Sequence, residues 1–178
     1  CPRHETCHYM VDGHYANAMN KRRLLLLTGG GYHDFPAGAS HLVDLLQTHG
    51  RLDVEHTQDR HALRSLRDFD GVIGYTHGGV LSAKEERSLA GFVASGGGFL
   101  GIHCASASFY PNAQYRAMLG CRFIEHAPEV HTFPVTISRR DHPLAEGLRD
   151  FDVCCEFYRC ACDEGLDVFL TGSWKGQP

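Results

Sequence analysis

Gly96-Gly97-Gly98-Phe99-Leu100-Gly101-Ile102-His103-Cys104-Ala105-Ser106 is the stretch around which the rest of the chain is arranged. A glycine run opens it, a short apolar segment follows, and it ends on a histidine and a cysteine before small residues. This pattern predicts a central buried strand that delivers polar side chains at a sharp turn. Glycine weakens a strand, so Gly98 and Gly101 are read as points of close backbone approach. A core histidine closing a buried strand is the plainer alternative.

Working back from this stretch, Ser82-Ala83-Lys84-Glu85 has the spacing of a capping box, and Leu89, Phe92 and Val93 face inward until Gly96 ends the helix. Before it, Asp70–Thr76 reads as a strand ending at His77-Gly78-Gly79, and Leu52–His56 as a shorter one. Arg23–Thr28 is a continuous apolar strand that runs into Gly29-Gly30-Gly31-Tyr32-His33-Asp34. Ala39, Leu42, Val43 and Leu46 then share one helical face, with Gly50 as the stop. Strands alternating with helices over short connections predict a parallel sheet covered by helices. After His103 the character changes. A short helix over Ala113–Leu119 is followed by strands at Cys121–Glu125, His131–Ser138 and Phe151–Cys160, with a brief turn at Pro143–Leu148 and a last strand at Asp167–Thr171. These predict an antiparallel addition beside the sheet.

The 178 residues suit one domain with a real core. A net charge of −4 offers no basic surface, so nucleic acid and anionic membrane are poor partners. Leu24–Leu27 is far too short to cross a bilayer. Lys21-Arg22-Arg23 precedes it as in a signal peptide, but glycines and His33-Asp34 interrupt the apolar region. The eight cysteines, several in predicted strands, are read as reduced thiols of a cytoplasmic protein. Residues 1–20 show no periodicity and are read as a disordered or non-native extension, with 21–178 as the single domain.

The carboxyl edge of a parallel sheet is where ligands bind, and this sequence loads that edge. The first strand delivers Tyr32, His33 and Asp34, the third His77, Gly78 and Gly79, and the glycine-rich strand His103, Cys104 and Ser106. One polar pocket built from three loops is the expectation, with His126, His131 and Glu156 closing it from the second half. Imidazole and carboxylate suit a zinc-like divalent ion, for which His33, His77, His103 and His126 are the candidate ligands. Acid–base catalysis by His103 or His33 with Glu156 needs no metal. A nucleophilic Cys104 is disfavoured by register, because in an elbow beginning at Gly101 the nucleophile position falls on His103. The glycine loop at Gly29 matches neither nucleotide-binding motif. Tyr158, with Phe157, Phe109 and Tyr110, reads mainly as core, although aromatic faces also suit stacking on sugar rings.

These residues together resemble the ThuA-like, or trehalose-utilisation, family of class I glutamine amidotransferase-like folds. The resemblance is carried by Leu-Leu-Thr-Gly-Gly with His33-Asp34, the segment from Leu81-Ser82 to Phe92-Val93, and Gly96 to His103. It continues through Ala105-Ser106, Phe109-Tyr110, Leu119-Gly120, Arg122-Phe123 and His126-Ala127-Pro128, then Arg140 to Leu144, Gly147-Leu148 and Glu156-Phe157-Tyr158. It implies a flavodoxin-like three-layer α/β sandwich with an antiparallel addition, in a cytoplasmic protein of carbohydrate catabolism that works alongside dehydrogenases making keto-sugars. It also implies that the glutaminase cysteine is absent, with His103 in its place. The resemblance supplies no single reaction, and the leading expectation is an enzyme acting on a sugar or keto-sugar by hydrolysis or isomerisation. Catalysis falls to His103, Glu156 and His33, and substrate contacts to Asp34, His77, Gly78, Gly79, Cys104, Ser106 and Tyr158. A non-catalytic sugar-binding or interaction module is the alternative, and a thiol-dependent hydrolase using Cys104 the third. The chain departs from the family at Ala107 and Cys155, where members commonly carry an acid. Members also usually continue past the equivalent of Pro178, so the resemblance implies a truncated chain whose open sheet edge favours homo-oligomers.

Overall fold

Four successive leucines, Leu24–Leu27, cannot all face one way in a strand, because neighbouring side chains alternate between the two faces. The computed structural model, which describes residues 21–173 and Lys175, gives each face its own helical cover. The expectation for residues 1–20 lies outside the described residues.

The first strand, β1 (Arg22–Gly29), is followed by α1 (Phe35–Gln47) and β2 (Leu52–Thr57). A 3-10 turn at Arg60–Arg64, unforeseen in the sequence, leads to β3 (Gly71–Thr76), and α2 (Ala83–Ala94) to β4 (Gly98–Gly101). These strands form a parallel sheet in the order β2-β1-β3-β4. Leu25 and Leu27 point into a core shared with Leu63, Val72, Leu89 and Tyr115, beneath α2 and the later helix α3 (Ala113–Leu119). Leu26 and Ile73 point the other way and pack with Ala39, Leu42, Val43 and Leu46 of α1. The result is helix, sheet, helix: the three-layer α/β sandwich anticipated for this sequence.

Local chemistry sets the helix boundaries. The Ser82 hydroxyl accepts from the Glu85 amide while the Glu85 carboxylate accepts from the Ser82 amide, closing the expected capping box. At α1 the cap is Asp34, whose carboxylate accepts from the Ala37 amide, so the helix begins at Phe35, earlier than the periodicity from Ala39 indicated.

The glycine-rich strand is corrected from central to peripheral. β4 pairs only with β3 among the described residues, and Leu100 on it is 53% exposed. Its composition reflects close packing around its ends: a Cβ on Gly97 would lie 2.4 Å from the Phe92 ring, and one on Gly101 2.7 Å from Leu119.

Beyond α3, one long strand, β5 (Cys121–Ile137), pairs antiparallel with β6 (Phe151–Cys162) and with β7 (Leu170–Gly172). The two strands expected at Cys121–Glu125 and His131–Ser138 are therefore a single strand with two irregularities, one between Phe123 and Glu125 and a larger one beyond it. Between His126 and Val130 the register shifts, with three β5 residues set against one on β6. Pro128, which has no N–H for the ladder, sits within that shift. No helix among the described residues is long and apolar enough to cross a membrane.

Candidate functional site

The turn after β4 is tightly stitched. The Ile102 amide donates to the Gly74 carbonyl and the Ala105 amide to the Ile102 carbonyl, starting a 3-10 turn over His103–Ala107. The Ser108 hydroxyl donates to the Thr76 carbonyl at 2.6 Å, tying the end of this turn to the end of β3. The Tyr115 hydroxyl donates to the Ala105 carbonyl from beneath. The backbone so held places His103 at φ 48°, a left-handed conformation that a non-glycine residue adopts at a cost. The elbow position deduced from register is thus occupied by a histidine in the strained conformation typical of such turns.

Glu156 reaches the same place from β6. Its partner on β5 is Val130, at one end of the register shift, and that of Tyr158 is His126, at the other. Glu156 and Tyr158, two residues apart, share the strand face that looks at the elbow. The Glu156 Oε2 lies 3.3 Å from His103 Nε2, with both side chains about three-quarters buried. The Tyr158 ring lies over the imidazole, with centroids 4.4 Å apart and planes 30° apart. His33, delivered by the loop after β1, packs edge-on to His103 at 4.9 Å.

Burial, followed by the proximity of His33, holds the His103 imidazole below its ordinary value, against the opposing pull of Glu156. Burial also pushes up the Tyr158 phenol, and the Glu156 carboxylate adds to the effect, so Tyr158 is a neutral hydrogen-bonding and stacking surface. Ligand atoms of His33, His103 and Glu156 all lie within 4.8 Å of one another, so these three can hold a divalent cation by two nitrogens and an oxygen. His77 and His126, expected as ligands, fall outside that set among the described residues. His77 packs against His33 and Tyr32, and His126 Nδ1 donates to the Ala127 carbonyl while its ring stacks near Tyr158.

His103, Ser106, Glu156 and Tyr158 line a cavity of about 720 Å³ between the elbow and the antiparallel ribbon. The Ser106 hydroxyl donates to the His103 carbonyl and bounds this cavity. Three thiols missed as site residues also line it: Cys121, Cys160 and Cys162. The Cys160 thiol donates to the Ser106 hydroxyl at 3.9 Å, and the neighbouring Cys121 thiol holds Cys160 below the ordinary thiol range. The signal for them was available in the sequence, since Cys160 and Cys162 share a strand face with Tyr158, but it depends on knowing which face turns inward.

Three expectations are corrected. The single pocket is two cavities, because His77, Gly78 and Gly79 line a separate one of about 510 Å³ with Thr28, Gly30 and Arg60. Asp34, expected only as a substrate contact, also caps α1: one carboxylate oxygen accepts from the Ala37 amide. Cys104 is fully buried and its thiol is pushed up to about 11 by that burial, which removes it both as a substrate contact and as a nucleophile. Its side chain points into the core one residue after the elbow.

The ThuA family, described as trehalose utilisation, matches residues 23–176. Among solved structures, a ThuA-like protein from Bacteroides uniformis superposes with a TM-score of 0.73 at 17% identity, over 90% of this chain and 72% of that one. A ThuA-like protein from Parabacteroides merdae gives 0.75 at 18% identity, over 85% and 68%. A GMP synthase subunit from Thermoplasma acidophilum gives 0.50 at 15% identity, over 86% and 74%. No curated protein matches the chain. At these identities the structural likeness carries the fold alone.

Proposed function

Since the chain belongs to the ThuA (trehalose utilisation) family, we propose that it is a cytoplasmic enzyme of carbohydrate catabolism acting on a sugar or keto-sugar by acid–base chemistry at His103 and Glu156. The observation that carries this reading is the 3.3 Å contact between His103 Nε2 and Glu156 Oε2, at a strained turn facing a cavity of sugar size. A neutral imidazole accepts a proton at neutral pH, and the adjoining carboxylate stabilises the imidazolium that results. Such a pair removes a proton from a hydroxyl, or from carbon beside a carbonyl, and returns it to a neighbouring atom or a leaving oxygen. This is the chemistry that isomerisation and hydrolysis of keto-sugars share. The Tyr158 ring supplies a flat face for the pyranose, and the Ser106 hydroxyl a small polar contact at the cavity wall.

Turnover of a panel of disaccharides and their keto derivatives by wild type, His103→Ala and Glu156→Gln tests the reading. Product formed by wild type and lost in both variants supports it. Saturable sugar binding without turnover in any of the three proteins replaces it with the binding-module alternative.

A second reading is favoured by the convergence of His33, His103 and Glu156. A divalent, zinc-like ion held there would polarise a substrate carbonyl or activate water. Near-stoichiometric metal in untagged wild type, lost in both His33→Ala and His103→Ala, supports it. Metal-free protein with full turnover removes it.

A further inference from the structure

We propose that the cleft between the carboxyl ends of β1 and β3 is a second ligand site, separate from the His103 cavity, which takes the anionic group of a sugar derivative: a phosphate ester or a carboxylate.

The topology puts a cleft there. In the order β2-β1-β3-β4 the chain leaves β1 towards β2 on one side and returns through β3 on the other. The helices that follow β1 and β3 go to opposite faces of the sheet, and at this switch point the two loops, joined by the His77 amide donating to the Gly29 carbonyl, border a crevice. Its lining includes Gly30, Gly31, Arg60, His77 and Gly79, and no aspartate or glutamate. Arg60 donates one Nη1 hydrogen bond to the Val80 carbonyl at 2.9 Å, and no carboxylate among the described residues pairs with it. A guanidinium with donors to spare and no carboxylate partner among the described residues is a site for a carboxylate or phosphate.

The backbone around Arg60 is shaped for the same purpose. Gly30 has φ 128°, and a Cβ there would lie 2.3 Å from the His77 carbonyl oxygen. Gly79 has φ 74°, and a Cβ there would lie 2.8 Å from Arg60 Nη1. Bare backbone at these two positions lets the loops and the guanidinium close on one point. The backbone N–H groups of Gly30, Gly31 and Gly79 meet no acceptor among the described residues. Amides in left-handed turns of this kind are a known form of anion cradle. At the rim stands Tyr32, held at φ 79° although 93% exposed, its ring edge-on to His77 at 5.0 Å. Folding recovers nothing from an aromatic ring strained into water, whereas a ligand bound in the cleft would stack on it. A sugar carrying the anion accounts for both the charged floor and the aromatic rim.

Calorimetric titrations of the full chain with inorganic phosphate, glucose 6-phosphate, glucuronate and glucose test this site. Saturable binding of the anions, weakened about tenfold or more in Arg60→Gln and unchanged in His103→Ala, is the expected result. Tyr32→Ala should weaken the two sugar anions but not inorganic phosphate. The ratio of glucose 6-phosphate to glucuronate affinity identifies which anion the cleft prefers. Amide shifts in wild type keep the test independent of any variant's folding, since phosphate should move Gly30, Gly31 and Gly79. Absence of saturable anion binding at millimolar concentration, equal affinity in Arg60→Gln, or shifts confined to residues 103–106 and 156–158 would overturn the proposal. His103→Ala losing turnover while keeping anion binding separates this site from the proposed catalytic one.

Discussion

The parallel sheet and the antiparallel ribbon bury their side chains differently. In the sheet, Leu25 and Leu26 face opposite ways and both are wholly inaccessible, because helices cover each face. In the ribbon, the buried apolar cluster consists of Ala127, Phe133 and Phe157, none of them wholly inaccessible, and most intervening residues meet solvent. The candidate site lies where these two regimes meet. His103 and His33 are placed by backbone turns anchored in the thick core, whereas Glu156 and Tyr158 are placed by cross-strand register and a bulge. Residues of the first kind depend on local conformation, and those of the second on long-range pairing.

That contrast breaks most sharply at the site itself. His103→Ala and Glu156→Gln should each lower turnover about 10²- to 10⁴-fold, the usual worth of a positioned acid–base group, measured as kcat/KM on the best sugar of the panel. Cys104→Ser should leave kcat/KM within about twofold of wild type, since the buried thiol touches no solute. A large loss there in a normally folded variant would reinstate the thiol mechanism.

Next in size are core truncations. Leu25→Ala should cost about 2–5 kcal/mol in urea unfolding, because its site is packed on all sides and collapses poorly. Val153→Ala, at the edge of the ribbon cluster, should cost clearly less. Equal losses would mean that the ribbon is as closely packed as the sheet.

Smaller still is the capping box. Ser82→Ala should cost about 1 kcal/mol by the same measurement. The smallest effect expected is a pH dependence centred on Glu85, whose buried carboxylate faces Arg64 at 2.9 Å and His61 at 3.7 Å. Burial alone would raise it, but the hydrogen bonds from Ser82 and the charge of Arg64 outweigh burial and hold it below the usual carboxylate range. A depressed native value means that the folded state binds fewer protons. The stabilisation is complete above the ordinary carboxylate range and is lost as the pH falls through the native value. Glu85→Gln should flatten that acid limb of the stability curve, and an unchanged limb would assign it to other groups.

How far the sequence could be read follows the same division. The β1 leucines, the α2 capping box and the glycine stop signals are local codes, so the elements of the first half and the elbow histidine were legible. The cap at Asp34 escapes the sequence because a carboxylate after a glycine loop reads equally as ligand or cap, and only the Ala37 amide identifies the cap. The composition of β4 resembles that of a buried central strand, while position within a sheet is a matter of pairing.

The amino-acid sequence by itself determined the α/β alternation, the family and the concentration of polar residues on one sheet edge, because helix and strand periodicity and turn chemistry act over a few residues. The tertiary structure alone decided that His33, His103 and Glu156 converge, that Cys104 does not join them, and that the loaded edge divides into two cavities. Those outcomes turn on a two-residue register shift in β5 and on the order of strands, and both are set by contacts between segments far apart in the chain.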